Sequence, residues 1–315
     1  MATLSQWVEG ARPRTLPAAV APVLVGTGAA YALDKADLAF AVLALLVSLA
    51  LQVGVNYAND YSDGIRGTDQ ERVGPVRLVG QGLARADNVK LAAMASFFSA
   101  AVLGLALVTL SNTFVMLLVG AASIAAAWYY TGGRRPYGYS GLGEVFVFVF
   151  FGLVATLGTT YTQAHTVSAA AIVGAVGVGT IASAILVANN LRDIPTDTIH
   201  GKQTLAVRLG EGRTRTLYAA LLGVALACVL VVGLIHPTAL VALPAFALAY
   251  PLVRRVLSGA TGPDLVPVLS GTGRFELVYA ALLALGLGAA QHLGWTTSVT
   301  ASGARGVLVG LFLST

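Results

Sequence analysis

The residues best suited to chemistry follow directly after an apolar run of about twenty residues that ends near position 188. Two carboxylates, two carboxamides and an arginine then occur within nine positions: Asn189, Asn190, Arg192, Asp193 and Asp197. Asn189, Asp193 and Asp197 are spaced by four residues, so on a helix they would share one face. Oxygen ligands of this kind suit Mg²⁺, which also takes oxygen atoms from substrate phosphates. The stretch therefore predicts a divalent cation that holds a phosphate.

A second cluster of the same composition lies where an earlier apolar run ends. It contains Asn56, Asn59, Asp60 and Asp63, and Asp69 lies shortly after it. Asn56 and Asp60 are four residues apart, and Asp60 and Asp63 are three apart, so these side chains would also share a helical face. We expect the two clusters to face each other and to hold one or two ions and a diphosphate. Two alternatives stay open: loop acids paired with nearby arginines, and a proton or cation relay in a transporter.

Basic and aromatic residues accompany both clusters. Arginine binds phosphate oxygens at two points and lysine acts as a point charge, although either can instead signal topology or contact lipid headgroups. The candidates for phosphate binding are Arg77, Arg134, Arg192, Lys202 and Arg208. Tyr130 and Tyr139 could stabilise a cation with their ring faces, or belong to an interfacial aromatic belt. Glu144 follows a glycine-containing loop and would suit the N-terminus of a helix.

Composition decides what kind of element positions these residues. Hydrophobic residues make up 57% of the 315 residues, charged residues only 10%, and the mean hydropathy is +0.79. A soluble domain carries roughly 25% charged residues, so most of this surface must face lipid. We predict an all-α polytopic membrane protein, a bundle of nine transmembrane helices with polar cytoplasmic cap loops. The predicted spans are 16–33, 38–56, 89–110, 113–131, 144–162, 168–190, 215–235, 238–256 and 275–293.

The distribution of positive charge predicts the orientation of this bundle. With the N-terminus in the cytoplasm, all of the 19 lysines and arginines except Lys35 and Arg305 fall on the cytoplasmic side. Both aspartate clusters then lie on that side of the cell membrane. The net charge of +5 comes from loops rather than from a basic domain, so we expect no nucleic-acid partner. Cys228 is the single cysteine, which excludes a disulfide within one chain.

The two clusters also indicate an internal repeat. Each ends an apolar run, and four spans separate them, so we expect one domain (1–294) of two four-helix halves, about 16–131 and 144–256, plus a ninth helix. Residues 295–315 form a tail to which we assign no function; disorder or a cloning remnant would each explain it. Pro195 removes one helical hydrogen bond, which predicts that the helix bends or ends near Asp193.

The paired motifs resemble the UbiA superfamily of intramembrane prenyltransferases. That family's first signature, NDxxDxxxD, is matched by residues 59–67, and its second, DxxxD followed by Gly and Thr-Leu, by residues 193–205. The third acid of the first signature falls on Gly67 here, and Asp69 lies two residues later. The nine-span layout extends the resemblance over residues 10–293. Gly74-Pro75-Val76-Arg77 and the Asn-Asn-Leu-Arg-Asp run from 189 to 193 are similar to the naphthoate branch of the family.

The resemblance implies an enzyme that transfers a polyprenyl group from polyprenyl diphosphate to 1,4-dihydroxy-2-naphthoate with loss of the carboxylate, giving demethylmenaquinol for menaquinone synthesis. It implies Mg²⁺ held by acids of both motifs with help from Asn59 and Asn190, and substrate contacts from the polar and aromatic residues nearby. The implied metal ligands are Asp60, Asp63, Asp69, Asp193 and Asp197. The implied substrate-binding residues are Asn56, Arg77, Tyr130, Arg134, Tyr139, Arg192 and Lys202. Membrane lipid surrounds the bundle, and 4-hydroxybenzoate or homogentisate is the alternative acceptor.

Overall fold

The apolar runs fold into helices because a helix satisfies its own backbone hydrogen bonds, which lipid cannot do. The computed structural model describes residues 2–67 and 76–292, and within these ranges the chain forms helices and no strand. Asp69 and the tail 295–315, both named in the sequence-based predictions, lie outside the described residues.

Ten helices, some with irregular segments, are numbered in chain order. They are α1 (Leu4–Gly10), α2 (Pro17–Ala32), α3 (Leu38–Ile65), α4 (Ala86–Ser111), α5 (Met116–Tyr129), α6 (Gly143–Ala164), α7 (Ala169–Ile199), α8 (Leu205–Ile235), α9 (Pro237–Leu257) and α10 (Val266–His292). The segment Phe148–Val154 of α6 is a π-helix, and α9 begins as a 3₁₀-helix over Pro237–Ala245. The helix α8 kinks at Gly210, whose φ of 74° is readily adopted only by glycine.

This chain is a multi-pass membrane protein. Within the described ranges, seven helices are long and apolar enough to cross a membrane, namely α3, α4, α6, α7, α8, α9 and the segment Gly262–Ala290 that contains most of α10. Two further elements are not long enough by themselves. Leu4–Thr15 and Pro17–Ala32 reach the length and hydropathy of a span only together, as a pair bent by 48°. The helix α5 is apolar but shorter. Every predicted span coincides with a helix, and the number of nine crossings stays a prediction.

Both motif-bearing helices are longer than the predicted spans. The helix α3 continues past residue 56 to Ile65, and α7 continues past residue 190 to Ile199. Of the predicted bend or end near Asp193, the end is therefore wrong, because Pro195 lies inside α7, and the bend stays a prediction. Hydroxyl groups of the last turns add hydrogen bonds there: Thr196 donates to the Asp193 carbonyl at 3.0 Å and Thr198 to the Ile194 carbonyl at 2.7 Å.

The helix α7 lies at the centre of the bundle. In its most apolar window 72% of residues are buried, against 22% for α3 and for α9. It packs most extensively on α8 and also contacts α2, α6 and α10, while α3 pairs with α4. Where α6 crosses it, Gly152 and Gly179 are in contact, since a Cβ added to Gly152 would lie 2.5 Å from the Gly179 Cα. The motif at the end of α7 is thus held by neighbours on several sides.

Candidate active site

The ends of α3 and α7 meet at one central cavity of about 710 Å³. Both helices carry their polar residues to the same end of the bundle, as the paired motifs predict. Ten residues of the sequence-predicted site line this cavity: Asn59, Asp63, Arg77, Tyr130, Tyr139, Asn189, Asn190, Arg192, Asp197 and Lys202. Arg12 and Arg14 also line it, so basic side chains outnumber the acidic ones of Glu9, Asp63 and Asp197. A cavity with this balance of charge suits an anionic ligand.

Lys202 connects the two motifs. Its Nζ lies 3.5 Å from Asp63 Oδ1 and 4.0 Å from Asp197 Oδ1, and all three side chains are at least 90% buried. Asp63 belongs to α3 and Asp197 to α7, so carboxylates that are 134 positions apart in the sequence converge on one positive charge. The backbone N–H of Lys202 also donates to the Asp197 carbonyl at 2.8 Å, which fixes the loop after α7 against the helix end.

Tyr139 joins the same group from the loop between α5 and α6. Its hydroxyl donates a hydrogen bond to Asp63, and its carbonyl accepts one from the Gln203 N–H at 3.0 Å. Lys202 Nζ lies 4.6 Å and the Arg66 guanidinium 5.5 Å from the centre of its ring. Tyr139 therefore connects its own loop with α3 and with the loop after α7 at the wall of the cavity.

Arg192 and Asp193 form a buried ion pair beside the cavity. Arg192 Nε donates to Asp193 Oδ1 at 2.7 Å, and Nη2 donates to Asp193 Oδ2 at 2.8 Å and to Asn189 Oδ1 at 3.0 Å. Arg192 and Asn189 line the cavity, whereas Asp193 does not. Asp193 thus holds the arginine in place from behind.

Asp60 also lies outside the cavity lining. Its side chain is fully buried, with Oδ2 accepting from the Leu78 N–H at 2.7 Å and Oδ1 from the Val79 N–H at 3.1 Å. In the described structure Asp60 fastens the segment that follows Arg77.

Two other predicted residues lie away from the central cavity. Asn56 Nδ2 donates to the Ala11 carbonyl at 2.8 Å and to Thr15 Oγ1 at 3.0 Å, so it anchors the turn between α1 and α2. Arg134 is exposed and is not part of the lining. The structure therefore brings together Asp63, Asp197 and their basic neighbours, and it gives Asn56 and Asp60 anchoring contacts.

Two residues that sequence reasoning did not assign to the site support its asparagines. Thr131 Oγ1 donates to Asn59 Oδ1 at 2.8 Å, and Asn190 Nδ2 donates to Glu144 Oε1 at 2.9 Å. Glu144 carried a usable signal, since an acid at the start of an apolar span requires a polar partner. Thr131 carried none, because threonine is common at helix ends.

An apolar cavity of about 590 Å³ adjoins the polar one. It lies between α3, α4, α5 and α6, and it shares a wall with the central cavity at Gln52, Asn59, Tyr130, Val147 and Phe151. Tyr137 contributes to its lining, and its hydroxyl donates to the Ala126 carbonyl at 2.7 Å. Burial raises the pKa of the Tyr137 phenol, which therefore stays neutral. The two cavities together could accommodate a ligand with a charged head and a hydrocarbon chain.

The donor atoms around the central cavity fit a magnesium ion. Asp63 and Asp197 supply carboxylate oxygens, which are hard ligands of the type that Mg²⁺ prefers. Within residues 2–67 and 76–292 no group of three or more His, Cys, Asp and Glu side chains is assembled as a metal site. This is consistent with Mg²⁺ chemistry, because that ion binds through one or two carboxylates, waters and substrate phosphates.

Comparison with known proteins places the chain in a family. Residues 19–265 match the UbiA prenyltransferase family. The chain is 55% identical over 284 residues to the 1,4-dihydroxy-2-naphthoate octaprenyltransferase of Mycobacterium tuberculosis, covering 90% of this chain and 97% of that protein. It is 40% identical over 291 residues to the protein of the same name from Escherichia coli, covering 89% of this chain and 94% of that one.

The fold has a counterpart among solved structures. A UbiA homologue from Archaeoglobus fulgidus bound to GPP and Mg²⁺ superimposes with a TM-score of 0.66 at 16% identity, covering 90% of this chain and 99% of that one. At this identity the likeness concerns the fold. Together with the family match and the two close relatives, it leads to one conclusion: the chain belongs to the UbiA prenyltransferase family.

Proposed function

We propose that this protein transfers a polyprenyl group from polyprenyl diphosphate to 1,4-dihydroxy-2-naphthoate in a Mg²⁺-dependent reaction. The ring loses its carboxylate as CO₂, diphosphate leaves, and the product is demethylmenaquinol. The observation that carries the proposal is the pair of adjoining cavities, one polar and basic and the other apolar. A polyprenyl diphosphate has the same division into an anionic head and a hydrocarbon chain. The names of relatives that are 40–55% identical support the choice of acceptor.

The diphosphate head would lie at the end of α3 and α7. Arg77, Arg192 and Lys202 line the cavity there and would balance its negative charge. Asp63 and Asp197 would hold Mg²⁺, with Asn59 as a further oxygen donor and Asp60, Asp69 and Asp193 as candidates. The bound ion would supply neutralisation of the diphosphate charge as the leaving group departs.

The remaining residues would protect and orient the reacting groups. Tyr130 and Tyr139 line the cavity, and their aromatic rings suit an allylic cation better than aliphatic walls do. The apolar slot between α3 and α6 would take the polyprenyl chain and exclude water from the cation. Because the slot is built from membrane-facing helices, a long chain can enter it without leaving a hydrocarbon environment.

We further propose nine crossings of the plasma membrane in one domain (1–294), with two four-helix halves, a ninth helix, and the N-terminus and both motifs in the cytoplasm. The bent pair α1–α2 and the short α5 would complete the seven long spans. Cysteine labelling tests the orientation cleanly, because the native Cys228 is buried. A cysteine at Thr3 should be labelled from the cytoplasmic side and one at Asn112 from the opposite side. Labelling of both from one side would overturn the topology.

Two other functions remain to be compared with this one: prenylation of 4-hydroxybenzoate or homogentisate, and cation- or proton-coupled transport. Purified protein is incubated with Mg²⁺ and a polyprenyl diphosphate, and with each acceptor in turn. The proposal predicts a prenylated naphthoquinol with release of CO₂ and diphosphate. Activity with 4-hydroxybenzoate or homogentisate alone would reassign the acceptor. Cation flux in liposomes without release of diphosphate would establish the transporter instead.

A further inference from the structure

Glu144 is an acidic residue at the start of an apolar span. It does not line the central cavity, but it contacts Asn190, which does. Its side chain is buried, and its Oε1 accepts a hydrogen bond from Asn190 Nδ2 at 2.9 Å. Its other oxygen, Oε2, is buried and finds no hydrogen-bond partner within the described ranges. The bond to Asn190 is therefore the main polar contact of this side chain, and burial of an acid there requires a reason beyond packing.

The start of α6 is held firmly against α7. Ser183 Oγ donates to the Glu144 carbonyl at 3.2 Å, and Ser183 and Asn190 lie seven residues apart, which is about two turns on one face of α7. Gly143 allows this approach, since a Cβ added to it would lie 3.2 Å from Leu186 and 3.5 Å from the Tyr130 ring. The carboxylate of Glu144 is thus held at a fixed position beside Asn190.

A carboxylate fixes which way round the neighbouring amide lies. In the structure Asn190 turns its NH₂ group toward Glu144, which is the orientation that an acceptor-only carboxylate requires. Its carbonyl oxygen, Oδ1, is then left for the cavity that Asn190 lines, and it makes no hydrogen bond to any described residue. The bond to the carboxylate also polarises the amide and makes Oδ1 a stronger acceptor.

The depth of Asn190 indicates what this oxygen meets. Asn190 lies seven residues before Asp197 on α7, which corresponds to about 10 Å along the helix axis. The diphosphate end of the cavity is marked by Asp197 and Lys202, so Asn190 lies deeper, next to the apolar side chains of Ile185 and Leu186. A hydroxylated aromatic ring is the part of the reaction that needs a hydrogen-bond acceptor among apolar walls.

We propose that Glu144 is a positioning residue that holds the Asn190 carbonyl oxygen toward the cavity, where it accepts a hydrogen bond from a ring hydroxyl of the aromatic acceptor. The inference rests on the proposed function, and it assigns the Asn190 carbonyl oxygen to the acceptor instead of to Mg²⁺, the role that the family resemblance implies. A hydroxyl that donates to a polarised amide makes its ring richer in electrons and so a better nucleophile toward the prenyl cation. Glu144 acts on the ring only through Asn190 and makes no contact with the diphosphate.

The test compares Glu144→Gln and Asn190→Ala in the full chain, with Glu276→Gln as the matched control. Glu276 is another fully buried acid in a membrane-spanning segment, and it lines neither cavity. Glu144→Gln should lower kcat/KM for the acceptor about tenfold, since the charge-assisted bond is replaced by a weaker one between two amides that no longer fixes the orientation of Asn190. The KM for geranyl diphosphate and the half-saturating Mg²⁺ concentration should not change. Glu276→Gln should behave as wild type, and Glu144→Asp, which keeps an acceptor-only group, should recover part of the activity.

A double variant separates positioning from mere structural support. If Glu144 acts through Asn190, Glu144→Gln combined with Asn190→Ala should be no worse than Asn190→Ala alone. The proposal is overturned if Glu144→Gln has the kcat/KM of wild type, or if it changes the KM for the prenyl donor or the Mg²⁺ requirement. It is also overturned if the losses of kcat/KM in Glu144→Gln and Asn190→Ala multiply in the double variant. Wild-type protein that prefers another hydroxylated aromatic acid contradicts only the proposed function, and the comparison is then made with that acid. No turnover of any aromatic acceptor by wild type overturns both.

Discussion

Arg192 and Asp193 are adjacent in the sequence and bind each other at two points, with N–O distances of 2.7 and 2.8 Å. Both side chains are buried, yet only the arginine lines the central cavity. One acid of the second motif therefore positions a cation, while Asp197 faces the cavity itself. Residues of one motif thus have different contacts. A motif interpreted as a set of equivalent metal ligands would not predict this difference.

Breaking this pair should cost stability. Asp193→Asn leaves the Arg192 guanidinium buried without its counter-charge, which costs about 3–5 kcal/mol in comparable pairs. The free energy of unfolding in mixed micelles measures the loss. Glu211→Gln is the matched control, because Glu211 pairs with Arg215 but its side chain is 53% exposed. This variant should lose less than about 1 kcal/mol of unfolding free energy. Equal losses in the two variants would contradict the role given to Asp193.

Asp60→Asn should release the segment after Arg77. The two N–H groups of Leu78 and Val79 donate to different oxygens of Asp60, and in the amide one of these oxygens becomes an NH₂ group, which cannot accept. Hydrogen exchange at these two amides should become at least about tenfold faster, since a lost hydrogen bond of about 1.4 kcal/mol corresponds to that factor. Asp87→Asn, a change of the same kind at an exposed surface pair, should leave both amides protected. Lost activity with unchanged exchange would instead favour Asp60 as a metal ligand.

Tyr139→Phe separates the hydroxyl of this residue from its ring. The phenylalanine ring keeps its place between Lys202 and Arg66 but cannot donate to Asp63. We expect kcat/KM to fall by no more than about tenfold for Phe, and by at least a further factor of about ten for Ala, because the ring contacts with two cations are then lost. Tyr250→Ala, at an exposed position on α9, should have no effect. Equal activity of the Phe and Ala variants would show that the ring contributes nothing.

Gly120→Phe should narrow the apolar slot. Gly120 lines this cavity, and a Cβ added to it would meet no atom within 4 Å, so a larger side chain can extend into the slot. Turnover of a long polyprenyl diphosphate should fall about tenfold, because a small change in the fit of a hydrophobic pocket is worth about 1–3 kcal/mol. Turnover of geranyl diphosphate, whose chain is short, should change little. Gly223 is equally open but lies on the outer face of α8, away from both cavities. If Gly223→Phe shows the same selectivity, the slot is not where the chain binds.

Much of the fold follows from the sequence because lipid imposes strict rules. Apolar runs must become helices, and every predicted span coincides with one. The predicted spans ended too early at residues 56 and 190, because α3 and α7 continue past their apolar parts and carry the motifs on their last turns. Hydropathy locates the apolar part of a helix and not its polar extension.

The site was predictable in composition but not in the division of roles. Asp63 and Asp197 converge on Lys202, whereas Asp60 accepts backbone amides and Asp193 binds Arg192. These differences depend on which loop packs behind each carboxylate, and residue spacing carries no information about that. Glu144 was visible as an acid in an apolar span, but its partner Asn190 lies 46 positions away and becomes evident only in the folded chain.

The central claim is that the two motifs form a single diphosphate and metal site, and paired alanine substitutions test it most directly. Prenyl transfer to 1,4-dihydroxy-2-naphthoate is measured for Asp63→Ala, Asp197→Ala and the double variant, with Asp264→Ala at an exposed surface pair as control. Each single change should lower kcat/KM at least about a hundredfold, as loss of metal-site support does. The double variant should lose little more than either single one. Near-normal transfer by either single variant, or losses that multiply in the double variant, would contradict a shared site.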